Sequence, residues 1–140
     1  MDTEKALAFL RAHQPMPSDH TITDEEADTF AALLVHFEVR PDERCIPLLI
    51  NSVSTNTALG VYERIKFVLR AHPRESVVPH LQRGLLSGND GVRYRCCWWA
   101  LDVDAWELID VVRPLTADAS EDIREAAQGF VELGRLGGMK

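Results

Sequence analysis

The feature that most limits what this chain can become is that its second half repeats itself. Shifted by 31 residues, VVPHLQRGLLSGNDGVRYRCCWWA (77–100) falls on LIDVVRPLTADASEDIREAAQGFV (108–131). Val77 and Val78 meet Leu108 and Ile109, and Leu81 meets Val112. Val92-Arg93 meets Ile123-Arg124, Cys96 meets Ala127, and Trp99 meets Phe130. Upstream, CIPLLINSV (45–53) matches 77–85 at a shift of 32, and GVYERIKFVL (60–69) matches 91–100 at 31. Three copies of such a unit lie within the range of helical-repeat periods. A chain built this way buries its apolar faces by stacking one unit on the next.

Each unit reads as two helices. Ile46, Leu49, Ile50 and Val53 fall at i, i+3, i+4 and i+7, which is one apolar helical stripe. The second helices carry matching stripes at Val61, Ile65, Val68 and Leu69, at Val92, Cys96, Trp99 and Ala100, and at Ile123, Ala127, Phe130 and Val131. Turn-forming residues separate them at 54–57, at His72-Pro73, at Gly88-Asn89-Asp90-Gly91 and at 118–120. Pro47 and Pro79 are expected in the first turns of their helices, where a missing N–H costs nothing.

The first 40 residues read as a degenerate fourth pair. One helix runs from about residue 3 to 13, followed by the linker QPMPSD; the next opens on Thr23-x-x-Glu26, a capping box, with Ala27, Phe30, Ala31 and Leu34 turned inward. Terminal repeats are atypical because they cover an otherwise open apolar end. The expected architecture is all-α: a right-handed α-solenoid of four stacked helix pairs. It comprises a capping pair at 1–40, repeats at 43–72, 74–103 and 105–134, and a helix stop with a frayed tail at 135–140.

The stretches NDGVRYRCCWWAL (89–101) and SEDIREAAQGF (120–130) resemble the second helices of short HEAT-type repeats: a polar turn, then Val/Ile-Arg, then small residues. The resemblance covers roughly residues 43 to 134. It implies that Arg93 and Arg124 are structural, bonding acidic groups in a neighbouring turn. The first repeat departs from the pattern, because Tyr62 stands in the arginine's place. In layout, length and acidity the chain is also similar to small bacterial HEAT-like immunity proteins encoded beside polymorphic toxins. That second resemblance implies a cytoplasmic binding protein.

Charge is banded along the sequence. Residues 1–43 carry ten acids and three bases, residues 44–100 three acids and eight bases, and residues 101–132 nine acids and two bases. The acidic bands favour a basic protein partner, and the middle band can hold an acidic group. They also argue against nucleic acid as the main ligand, since they repel phosphates. No run approaches the ~18 apolar residues of a membrane span. The start MDTEKALAFLRAH lacks the basic flank and cleavage site of a secretory signal, so a cytoplasmic protein is expected.

The chemistry-bearing residues are few. Cys45, Cys96 and Cys97 form no metal-ligand spacing with one another or with the five scattered histidines, so free thiols and neither metal nor cofactor are expected. Asp102, Asp104, Asp110, Asp118 and Asp122 offer carboxylates but sit where caps and turns place acids. No phosphate loop, serine elbow or zinc-protease signature appears, and a catalytic role is not expected.

Trp99 belongs to the buried stripe. Trp98 lies one step off it with Tyr94 on the same flank, and it either packs on an adjacent repeat or anchors a partner. On the second reading, the contact surface runs along the second helices. It takes Tyr62, Glu63, Lys66, Phe67 and Arg70, then Tyr94, Arg95, Trp98 and Asp102, then Glu125, Gln128 and Glu132: aromatics in the middle, charges around them. The function this supports is a non-catalytic module that binds and neutralises a cognate toxin or effector domain with a basic surface. The alternatives are an adaptor or scaffold in a larger complex, and a HEAT-like DNA glycosylase acting through Trp98 and Asp102.

Overall fold

The computed structural model describes residues 1–54 and 58–138 of the chain. Among them every regular element is helical and there is no strand. The elements are α1 (Thr3–Ala12), α2 (Asp24–Val39), α3 (Cys45–Ile50), α4 (Ile65–Arg70), α5 (Arg74–Leu85), α6 (Asp90–Asp102), α7 (Ile109–Val112) and α8 (Glu121–Leu133). Among the described residues, no helix is long and apolar enough to cross a membrane.

Helix starts follow the polar residues of the sequence. The Asp2 carboxylate accepts the Glu4 and Lys5 N–H groups at 2.7 and 3.2 Å and opens α1. Thr23 and Glu26 form the reciprocal capping box of α2. Asn89 caps α6 through the Val92 N–H at 3.1 Å, and Ser120 caps α8 through Ile123. Each satisfies donors that the first helical turn leaves unpaired.

Two of the expected helices are less regular. The counterpart of α6 in the preceding unit opens as a 3₁₀ stretch, Ala58–Arg64, with Gly60 at φ 89, and becomes α-helical only over Ile65–Arg70. Residues 55–57 of the turn expected there lie outside the described residues. The last unit's first helix is likewise broken, with 3₁₀ turns Trp106–Leu108 and Arg113–Ala117 around the four residues of α7. Pro114 opens the second of these turns, where its missing N–H keeps an α ladder from continuing.

Two expectations need correction. Pro47 falls in the first turn of α3, but Pro79 lies in the middle of α5, because that helix already begins at Arg74, directly after Pro73. There Pro79 leaves the Glu75 carbonyl without its helical donor. The C-terminal segment does not end at 134: Gly134–Gly138 prolongs α8 as a π-type turn with a kink at Gly137, φ 132. Met139 and Lys140 lie outside the described residues.

The helices pack in an ordered way. First helices contact first helices, α1 on α3, α3 on α5 and α5 on α7; second helices do the same, α2 on α4, α4 on α6 and α6 on α8. Between these rows runs one core of Leu7, Leu10, Phe30, Phe37, Ile46, Leu49, Ile65, Val68, Leu81, Trp99, Val112 and Phe130, among others. The apolar stripes read from the sequence are buried, with Trp99 only 3% exposed, except at Ala31, Val61 and Val131, which are partly buried. Gly84 of α5 is needed for the approach of α6, since a Cβ there would collide with Cys96 Sγ. Met16 of the N-terminal linker is buried and donates its N–H to the Ser52 carbonyl at 2.8 Å, which ties the linker to the end of α3.

Polar contacts join neighbouring pairs. Arg93 reaches the Asp118 carboxylate at 3.2 Å in the next unit's turn, and also bonds Asp90 and the Ser87 carbonyl. This is the role that the repeat resemblance implied for it. Arg124 stays local, donating to the Asp118 and Ala119 carbonyls at 2.8 and 3.1 Å. From the turn between α4 and α5, Arg70 and Arg74 grip the end of α6. They donate to the carbonyls of Asp102, Val103 and Asp104, the last held in the left-handed region at φ 55.

Candidate functional site

The candidate site is the groove where the flank of α6 meets α4 and the 3₁₀ stretch before it. Helical spacing sets it up: Val92, Cys96, Trp99 and Ala100 turn into the core, and this leaves Tyr94, Arg95, Trp98 and Asp102 along the side toward α4. Tyr62, Glu63 and Lys66 form the opposite wall. The groove encloses about 240 Å³, and its walls also include an edge of Trp99. Trp98 keeps 44% of its surface exposed beside this almost fully buried neighbour.

Arg95 is the most constrained group in the groove. Its guanidinium lies 5.5 Å from the Tyr62 ring centre and 5.9 Å from that of Tyr94. Its Nη1 donates to Glu63 Oε1 at 3.0 Å; the Arg95 side chain is 14% exposed, the Glu63 side chain 71%. Nε of Arg95 is shielded from solvent and has no hydrogen-bond partner among the described residues. Lys66 places its ammonium 5.4 Å from the centre of the Phe67 ring, over which Arg64 also lies. Asp102 closes the far end, with Arg70 Nη2 3.7 Å from its carboxylate. Burial pushes the Asp102 carboxyl above the ordinary range, while Lys66 and Arg70 pull it back.

The structure sorts the expected surface residues into three groups. Tyr62, Glu63, Lys66, Tyr94, Arg95, Trp98 and Asp102 come together in the groove. Tyr62 does so as its floor rather than as an exposed aromatic. It is fully buried, and its hydroxyl donates to the Ser52 carbonyl at 3.2 Å. That is a correction, and the cause is the 3₁₀ geometry of Ala58–Arg64, which rotates Tyr62 inward from the position an α-helix would give it.

Phe67 and Arg70 flank the groove without lining it, Phe67 being 38% exposed and Arg70 facing a second depression around His72 and Asp104. Glu125, Gln128 and Glu132 are exposed on α8 and do not reach the groove. What adjoins it from that side is the start of α8: Ser120, Asp122 and Ile123, with Asp90, line a further hollow that shares Tyr94 and Arg95. The Arg93–Asp118 contact sets the 118–120 turn beside the first half of α6.

The cysteines take no part in the site. All three are buried, and burial pushes the thiols of Cys45 and Cys97 up to about 12 and that of Cys96 well above its ordinary value. Among the described residues no group of three or more His, Cys, Asp or Glu side chains could hold a metal ion. No known protein family, curated protein or solved structure matches the chain at a significant level.

Proposed function

We propose that the chain is a non-catalytic protein-binding module, a right-handed solenoid of HEAT-like repeats, and that it acts in the bacterial cytoplasm as an immunity protein neutralising a cognate toxin. The observation that carries this reading is Trp98: a large aromatic 44% exposed on the wall of a groove that charged side chains also line. An indole of that kind, ringed by polar groups, has the make-up of an interface anchor. The row-on-row packing of α2, α4, α6 and α8 supports the solenoid, because it repeats one contact along the chain. The acidic stretches on either side of the middle band support a partner whose surface is basic around its contact point.

The test is co-purification with the product of the neighbouring gene, followed by measurement of association rate against salt. Glu125→Gln and Glu132→Gln should slow association and flatten its salt dependence. A neighbouring gene product that neither binds the chain nor is inhibited by it would refute the proposal.

A further inference from the structure

Helices α2 and α8 stand at the two ends of the row α2, α4, α6 and α8. The end helix of such a row keeps its outer face polar to stay soluble. Helix α8 does so through Glu121, Asp122, Glu125, Gln128 and Glu132, with Leu133 exposed only at its end. Helix α2 does so only in its first half. Its buried face carries Phe30, Leu33, Leu34 and Phe37; on the other side Asp24, Asp28, Ala32, Val35 and Val39 form one exposed stripe. Val35 is 50% and Val39 73% exposed, and both share a shallow hollow with Ala32 and Arg40. The charges of this face are unanswered. Asp24, Glu25, Asp28 and Arg40 make no ion pair among the described residues, whereas Arg44, Arg64, Arg70 and Arg74 each reach a carboxylate.

We propose that this stripe is the seat of a second copy of the chain: two α2 helices pack antiparallel about a two-fold axis between Ala32 and Val35. The stripe is acidic at its start, apolar after its middle and basic at its end, so it complements itself when turned end for end. In that register Val35 of each copy lies against Ala32 of the other, and Val39 covers the stem of Asp28. Arg40 then reaches the turn that bears Asp24 and Asp28. Asp28, Ala32, Val35 and Val39 follow one another at the alternating spacing of a helix-pair seam, and the small Ala32 lets the backbones approach. Parallel pairing would set acids on acids and Arg40 on Arg40. Stacking α2 on the α8 of another copy, which grows without limit, would set Asp24 and Asp28 against a helix that exposes Glu121, Asp122, Glu125 and Glu132. One helix stripe offers less than the ~800 Å² each partner gives to a standard interface, so the dimer is weak, half formed at roughly 10–100 μM.

The experiment is sedimentation equilibrium of the full chain over about 1–1,000 μM. The mass should rise toward that of two chains and stop there. Val39→Glu, at an exposed position, should weaken association at least about tenfold, because the two-fold contact brings in the unpaired charge twice, each time beside Asp28. Arg40→Glu should also weaken it about tenfold, and so should Asp24→Lys combined with Asp28→Lys, since each sets like charges together at both ends. The triple variant Asp24→Lys, Asp28→Lys, Arg40→Glu reverses both ends and should associate again at close to wild-type strength. If the triple variant fails to fold, the single substitutions at the exposed Val39 and Arg40 still decide. Trp98→Ala should leave self-association unchanged, so this inference and the Trp98 reading stand or fall separately.

A wild-type chain that stays monomeric throughout, or that grows beyond two chains, would overturn the proposal. So would a Val39→Glu or Arg40→Glu chain that associates like wild type, a folded triple variant that does not recover, or a dimer lost in Trp98→Ala. A monomeric wild type that pellets with phosphatidylcholine vesicles, or that captures the neighbouring gene product, and loses this in Val39→Glu would give the stripe to a lipid surface or to that protein instead of a second copy.

Discussion

At the joint between α6 and α8, Arg93 meets Asp118 at 3.2 Å with side chains only 16% and 11% exposed. At the joint between α4 and α6, Arg95 meets Glu63 at 3.0 Å with the carboxylate 71% exposed. Both joints link second helices of successive units, and both use one arginine from α6. They differ because of what the neighbouring unit offers. Beside α8 there is a capped turn whose Asp118 is also fixed by the Ser120 N–H at 2.9 Å. Beside α4 there is a 3₁₀ stretch with Gly60 at φ 89 and Tyr62 in the place of an arginine. The first joint closes over its ion pair; the second leaves a groove with Trp98 on its wall. One arrangement supplies rigidity, and the other keeps polar and aromatic surface open for contact.

The largest expected effect checks the packed side of α6. Trp99→Ala should destabilise the fold by ~3–5 kcal/mol in denaturant titration, the cost of emptying a large buried aromatic site. Trp99 is 3% exposed, so a loss below about 1 kcal/mol would mean that the buried face of α6 is wrongly placed.

The two ion pairs should separate next. Arg93→Met removes bonds to Asp118, Asp90 and the Ser87 carbonyl, and should cost about 2 kcal/mol. Glu63→Gln, at the open joint, should cost less than about 1 kcal/mol because an exposed pair contributes little. Similar losses at both sites would erase the distinction between the joints.

A smaller effect concerns pH. Burial holds the His72 imidazole below its ordinary 6.5, against the pull of Glu43 and Asp42, and its Nε2 is shielded without a partner among the described residues. With the folded value depressed, the unfolded chain takes up the proton first. The stability tied to neutral His72 is therefore complete above 6.5 and is lost as pH falls toward the lower folded value. Urea titrations on either side of that range should show the fall, and His72→Asn should lose part of it. An unchanged slope in the variant would assign the acid sensitivity elsewhere.

How far the sequence could be read follows the same division. The stripes at 46–53, 92–100 and 123–131 were legible because regular α-helices turn a 3.6-residue period into one buried face, and capped starts at Asn89 and Ser120 fix the phase of the last two. Tyr62 was misplaced because the same arithmetic fails in a 3₁₀ segment, and nothing in GVYER announces one except a glycine. Pro79 was misplaced for a related reason: the helix start is set by Pro73, six residues earlier, and the mid-helix proline is tolerated. Of the expected surface, the part on α4 and α6 converged, since shift-matched positions on packed neighbours face each other. Glu125, Gln128 and Glu132 did not join it, because α8 presents its first turn to Tyr94 and Arg95.

The central claim is that α6 packs through Trp99 and binds through Trp98. It is tested most directly by measuring, on one preparation of Trp98→Ala, both unfolding in denaturant and affinity for the neighbouring gene product. The account predicts unfolding close to wild type and a binding loss of ~2 kcal/mol or more, as for a truncated interface anchor. A Trp98→Ala protein that unfolds, or that binds as tightly as wild type, would contradict it.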